Sequence, residues 1–136
     1  MQDKQLDSFI ALGKALTRLQ EALAENPEKN SLAIDATIQR FEFCIELFWK
    51  VLKKFLQEEG SQAKSPKEAL QEAFQLEWIH DEQLWLTMLA DRNSTSHTYN
   101  EELALKIYSH IHNYYQKMNE VYQNFVFSES LNKKNP

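Results

Sequence analysis

The sequence predicts an all-α protein, an antiparallel bundle of four long-to-medium helices plus a short one. Three observations carry that prediction. Two Gly and three Pro in 136 residues are too few breakers for a turn-dense β fold. Apolar residues recur at alternating spacings of three and four over long stretches, the signature of one buried stripe per helix. The places where that rhythm stops carry Pro, Gly or short polar residues, the usual punctuation of helix ends.

The first helix is expected over about 4–25, because Phe9, Leu12, Leu16, Leu19 and Leu23 form one stripe and Asn26-Pro27 ends it. The second starts after Ser31 as N-cap. It runs through Ile34, Ile38, Phe41, Ile45, Phe48, Leu52 and Phe55 to Gly60. Off that stripe it carries Phe43, Cys44, Leu47, Trp49, Val51 and Leu56, an apolar arc so wide that other helices or a second chain must cover it. The third helix is expected over 66–77, with Ser65 as cap, Pro66 in the first position and Glu68 completing a capping box. Asp81 caps a fourth helix whose Trp85, Met88 and Leu89 face inward until Asn93-Ser94-Thr95-Ser96 competes with helical hydrogen bonds. Asn100 caps the fifth, with Glu101 and Glu102 in its first turn and a stripe of Ala104, Ile107, Ile111, Tyr114, Met118, Val121 and Phe125. Residues 1–136 read as a single domain, ordered over about 4–127 with a frayed tail.

Composition excludes several functions. The longest apolar runs are far short of the roughly 18 residues of a membrane span, so no membrane insertion is expected. The first residues lack an apolar stretch after a basic cluster, and Cys44 is the lone cysteine, so a cytoplasmic location is expected. Net charge is −5, and residues 65–97 set Lys67 and Arg92 against Glu68, Glu72, Glu77, Asp81, Glu82 and Asp91. Such acidity repels phosphate at long range, so nucleic-acid chemistry would need a local site.

Most chemical motifs reduce to packing. His110 and His112 are two apart on one helix and point about 200° apart, so they cannot chelate one ion. Glu77-Trp78-Ile79-His80 has the Glu-x-x-His spacing of di-iron bundles, but the required second motif is missing, and His80 is expected to cap a helix C-terminus. No metal and no cofactor is expected. Asp91, Ser94, Ser96 and His97 contain hydrolase residue types without the Gly-flanked elbow that exposes such a Ser. Tyr108, Tyr115 and Tyr122, at intervals of seven, form a ribbon better suited to packing than to stacking bases. Lys50, Lys53 and Lys54 read as a solvated face, and Cys44 as a small core residue.

What remains is the run Arg92-Asn93-Ser94-Thr95-Ser96-His97-Thr98-Tyr99. Arg92 can fork onto phosphate oxygens, His97 can move protons near neutrality, and Tyr99 offers a hydroxyl. Arg92 follows Met88 by four and Leu89 by three, at the edge of the buried face, where its charge wants a partner. On these residues alone two readings stand: phosphate chemistry, or an Arg bonded to loop carbonyls with His97 as a capping group.

The stretches Ile38-Gln39-Arg40-Phe41-Glu42-Phe43, Glu46-Leu47-Phe48-Trp49-Lys50, Ser65-Pro66-Lys67-Glu68-Ala69-Leu70, and Asp91-Arg92-Asn93 through Ser96-His97-Thr98-Tyr99 resemble the nucleotidyltransferase substrate-binding protein family, a branch of the HEPN superfamily. The resemblance covers about residues 5–125. It implies an all-helical homodimer, typically encoded beside a cognate minimal nucleotidyltransferase with which it assembles. Arg92, Asn93 and His97 match the Arg-x4-His ribonuclease motif of HEPN proteins, and Tyr99 extends it to the form found in toxins that a partner nucleotidyltransferase silences by adenylylating the tyrosine. The resemblance therefore implies a binding subunit that presents a substrate, or its own Arg-x4-His-x-Tyr segment, to a nucleotidyltransferase. It also implies an alternative, a metal-independent ribonuclease toxin acting on RNA, with His97 as general acid or base, Arg92 stabilising phosphorane charge, Asn93 orienting and Tyr99 as the modified residue. A structural dimerising bundle is the third possibility.

Overall fold

A computed structural model describes residues 3–95 and 100–134, with side chains described over 6–95 and 100–126. Five helices follow one another: α1 (Asp3–Leu23), α2 (Leu32–Glu58), α3 (Pro66–Gln75), α4 (Glu82–Ser94) and α5 (Glu101–Lys134). Among the described residues there is no strand. α2 touches all four other helices, and α1 runs along it most extensively. The wide apolar arc of α2 is the cause: Cys44, Val51 and Leu56 are buried together with the main stripe. Of the two covers expected for this arc, the chain's own helices supply most. Phe43 alone among these residues stays largely outside, 57% exposed.

The core follows the predicted stripes. Phe9, Leu12, Leu16 and Leu19 of α1 meet Phe41, Ile45, Phe48 and Leu52 of α2 and Ile107, Ile111, Tyr114 and Met118 of α5. Trp85 and Met88 close it from α4, with the Trp85 ring 4.9 Å from that of Phe48. Tyr122 stacks on Phe9 at 4.7 Å, and Tyr115 and Tyr122 are half-buried, so the tyrosine ribbon is packing. No helix is long and apolar enough to cross a membrane, among the described residues.

The helix ends refine the sequence reading. Ser65 Oγ accepts from Glu68 N at 3.2 Å and Glu68 reaches back to Lys64 N at 3.0 Å, one residue earlier than the standard box. Asp81 and Asn100 cap as expected, accepting from Leu84 N and Leu103 N. Ser31 does not cap α2. Asn30 Oδ1 accepts from Leu32 N at 3.1 Å, because Ser31 itself already has helical backbone angles. α2 closes with Gly60 at φ +84, Ser61 N bonding to Leu56 O and Gly60 N to Gln57 O.

α3 stops at Gln75, before the expected 77, since Glu77 adopts φ +62 and the same pair of closing bonds forms from Trp78 N and Glu77 N. His80 lies exposed beyond that turn and caps nothing, and Glu77 and His80 share no helical face. α5 runs to Lys134, and the sequence from 101 to 135 holds no Gly or Pro to interrupt it.

Candidate functional site

The last turn of α4 is where the fold gathers polar chemistry. Consecutive residues on a helix point about 100° apart, so Asp91 and Arg92 face different neighbours. Arg92 turns to α2 and forms an ion pair with Glu46, both side chains about one-third exposed. Its other guanidinium nitrogen donates to Asn93 Oδ1 at 3.2 Å, and its backbone carbonyl accepts from Thr95 Oγ1 at 2.6 Å. The pair lies on a groove of about 330 Å3 where α2, α4 and the start of α3 meet, with Trp49, Lys67 and Leu89 on its walls.

Asp91 turns the other way, to α5. Its Oδ2 accepts from the Tyr114 hydroxyl at 2.6 Å and lies 2.9 Å from His110 Nδ1. The His110 and Tyr114 spacing of four residues puts both on one face of α5, over the same carboxylate. Tyr114 is 2% exposed and stacks on Phe41 at 5.5 Å. Burial first, then its hydrogen bond to Asp91 and the charge on that carboxylate, raise the Tyr114 pKa well above the ordinary phenol value. Burial also pushes the Cys44 thiol up to about 12, which keeps it an inert core group. Tyr115 and Tyr122 are raised by burial as well, Tyr115 with a further contribution from Cys44.

Of the residues singled out in the sequence, Arg92 and Asn93 are brought together at the groove, while His97 and Tyr99 lie outside the described residues. The partner that the Arg92 charge requires is Glu46, on a different helix, which in the sequence is one acid among several on α2. The Asp91–His110–Tyr114 cluster was missed. Its signal in the sequence is the four-residue spacing of His110 and Tyr114, which sets both over one carboxylate. Among the described residues, no three His, Cys, Asp or Glu side chains are grouped to hold a metal ion.

The arrangement joins a guanidinium about one-third exposed, an amide and a lysine around a groove, with a carboxylate opposing them. It can hold an anion when Glu46 yields. Comparison with known proteins gives this geometry its context. Residues 7–126 match the family described as nucleotidyltransferase substrate binding protein like. The chain belongs to that family. A probable ribonuclease HepT of Haemophilus influenzae is 37% identical over 83 residues, and the match spans 57% of this chain and 57% of that relative's length. A crystal structure of a Thermus thermophilus protein superimposes with a TM-score of 0.77 at 39% identity, over 83% of this chain and 97% of that one. A Haemophilus influenzae protein whose structure revealed the fold of a substrate binding domain of a nucleotidyltransferase matches with a TM-score of 0.66 at 25% identity, over 90% and 96% of the two chains. The family's fold thus accounts for the α1–α5 bundle, and the α4 terminus lies within the matched span.

Proposed function

We propose that the chain is the binding subunit of an assembly with a minimal nucleotidyltransferase, to which it presents a substrate or its own 92–99 segment. Family membership across residues 7–126 carries this reading. The state of Arg92 supports it: a guanidinium already held by Glu46 is a recognition element awaiting a partner rather than a free phosphate clamp. In this reading residues 1–136 act as one unit, pair as a homodimer and offer the α4 end to the enzyme. Co-expression with a cognate nucleotidyltransferase should give a complex that survives size-exclusion chromatography, and Arg92→Glu should weaken it at least tenfold. Separate elution of the two wild-type proteins would sink the reading.

The second reading is a metal-independent ribonuclease toxin that the partner neutralises by adenylylating Tyr99. The 37% identity to a probable ribonuclease favours it. Here His97 transfers the proton, Arg92 stabilises phosphorane charge after leaving Glu46, and Asn93 orients. RNA cleavage by the purified chain in excess chelator, falling roughly 100-fold in His97→Ala, is the expected result of this reading. Intact RNA after prolonged incubation rejects it and leaves the binding role.

A further inference from the structure

The α4 end is not the only place where cations and an aromatic ring converge. α1 and α2 run antiparallel, and the Arg40 guanidinium donates to the Arg18 carbonyl at 2.6 Å. Between them lies a groove of about 530 Å3. Its floor is made of Ala11, Ala15 and Ala36, and methyl side chains at these positions leave the space open where larger ones would fill it. From Ala11 to Arg18 the groove is about 10 Å long at the helical rise.

Lys14, Arg18 and Arg40 line the walls of the groove together with Phe43 and Leu47, and Phe43 lies about one helical turn from Arg40. Arg40 is pinned by the Arg18 carbonyl, and its nearest carboxylate, Glu21, is 3.8 Å away on a mostly exposed side chain. The charged ends of Lys14 and Arg18 make no ion pair or hydrogen bond among the described residues. Three cations against one loosely held acid form a local positive site in a chain of net charge −5. Phe43, the most exposed aromatic ring of α2, stands beside these cations in the same groove.

We propose that this groove binds a nucleoside polyphosphate, with the phosphates on Lys14, Arg18 and Arg40 and the base stacked on Phe43. The ligand carries what this lining can hold, several negative charges for the three cations and a planar ring for Phe43. Arginine forks match phosphate oxygens and lysine adds a mobile point charge. The volume lies within the roughly 300–1,000 Å3 of small-molecule sites. A second copy of the chain fits less well, because an isologous contact would bring two patches of net positive charge together. The site lies apart from the Arg92 groove, so it stands or falls independently of the nucleotidyltransferase assembly.

Calorimetric titration of the full chain with ATP, ADP, AMP, adenosine and tripolyphosphate, in chelator and at low salt, tests the assignment. ATP and ADP should bind, AMP more weakly, and adenosine at least tenfold more weakly than ADP. Arg18→Gln and Arg40→Gln should each weaken ATP at least tenfold. Phe43→Ala should weaken ATP about tenfold and leave tripolyphosphate unchanged, and Lys106→Gln, an exposed cation on α5, should change neither. Circular dichroism on each variant verifies the fold. No heat with ATP, ADP or tripolyphosphate at millimolar concentration overturns the proposal. Equal affinity for tripolyphosphate and ATP with a silent Phe43→Ala overturns the nucleoside assignment. Loss of nucleotidyltransferase assembly in Arg18→Gln, with no ATP binding by wild type, assigns the groove to a protein partner and overturns it too.

Discussion

Arg92 near the end of α4 and Arg40 midway along α2 have side chains of similar exposure, 37% and 30%, yet they are held in opposite ways. Arg92 meets a carboxylate directly, through Glu46. Arg40 meets a backbone carbonyl, and its nearest carboxylate is a loose 3.8 Å away. One positive charge is therefore neutralised inside the bundle's polar seam, while the other remains to raise the potential of a groove. Exposure alone does not tell a neutralised arginine from one that still adds to the local field; the chemistry of the acceptor does. The same contrast separates the two surroundings. The α4 end is tied to the core through Asp91, His110 and Tyr114, whereas Lys14 and Arg18 project from α1 with their charged ends unengaged by the described residues.

The largest expected effect tests that tie. Tyr114→Ala should cost about 3–5 kcal/mol in urea unfolding, since it deletes a buried ring stacked on Phe41. Tyr114→Phe should cost about 1–3 kcal/mol, since it keeps the ring and leaves a half-buried carboxylate one donor short. Arg18→Ala should stay within about 0.5 kcal/mol of wild type. Equal losses in Arg18→Ala and Tyr114→Phe would show that the two regions are tied to the core alike.

Alkali should separate the regions next. The folded state holds the Cys44 proton up to about 12 against an ordinary 9.0, and it raises Tyr114 above its ordinary 10.0. These contributions are complete below the unfolded pKa values and are lost as pH rises through the folded ones. Stability should therefore decline from about pH 9 towards 12, by up to about 1.4 kcal/mol per pH unit for each group. Urea midpoints measured at pH 8 and 10.5 check this, and Cys44→Val and Tyr114→Phe should each flatten the decline. An unchanged slope in both variants would remove these groups as its source.

A smaller effect probes the close approach of α1 to α5 at Gly13. A methyl at Gly13 would collide with the Tyr122 hydroxyl and approach its ring carbon Cζ to 3.0 Å. Gly13→Ala should destabilise by about 1–3 kcal/mol from overpacking, outweighing the gain of about 1 kcal/mol in helix propensity. Tyr122→Leu should reduce that penalty, and a Gly13→Ala variant more stable than wild type would show that Tyr122 swings aside. The smallest change is expected from Glu46→Gln, under about 1 kcal/mol by thermal unfolding because the pair is one-third exposed. Its sharper readout is partner affinity, which should rise several-fold if the freed Arg92 is the recognition element.

The helices, their stripes and most of their caps were legible in the sequence because the causes are local. Apolar spacing selects the buried face within a few turns, and Ser65, Asp81 and Asn100 bond to amides three residues on. Where the reading slipped, the competing cause was also local. Asn30 won the α2 cap from Ser31, and Glu77 took a left-handed angle that ended α3 early. Arg92 and Asn93 were recognisable from residue type and spacing, and so was the need of Arg92 for a partner.

What only the tertiary structure decided is which partner each charge obtained. Glu46 for Arg92, Tyr114 and His110 for Asp91, and the Arg18 carbonyl for Arg40 all join different helices, the last three across 23, 19 and 22 residues. Helical periodicity says which side of a helix a residue occupies, but not which residue of a neighbour stands opposite. That depends on the axial register of packed helices, set by the summed fit of Phe41, Phe48, Trp85 and Tyr114 in the core. The electrostatic character of both grooves follows from that register, so an acidic sequence produced a positive groove along α1 and a neutralised arginine at the end of α4.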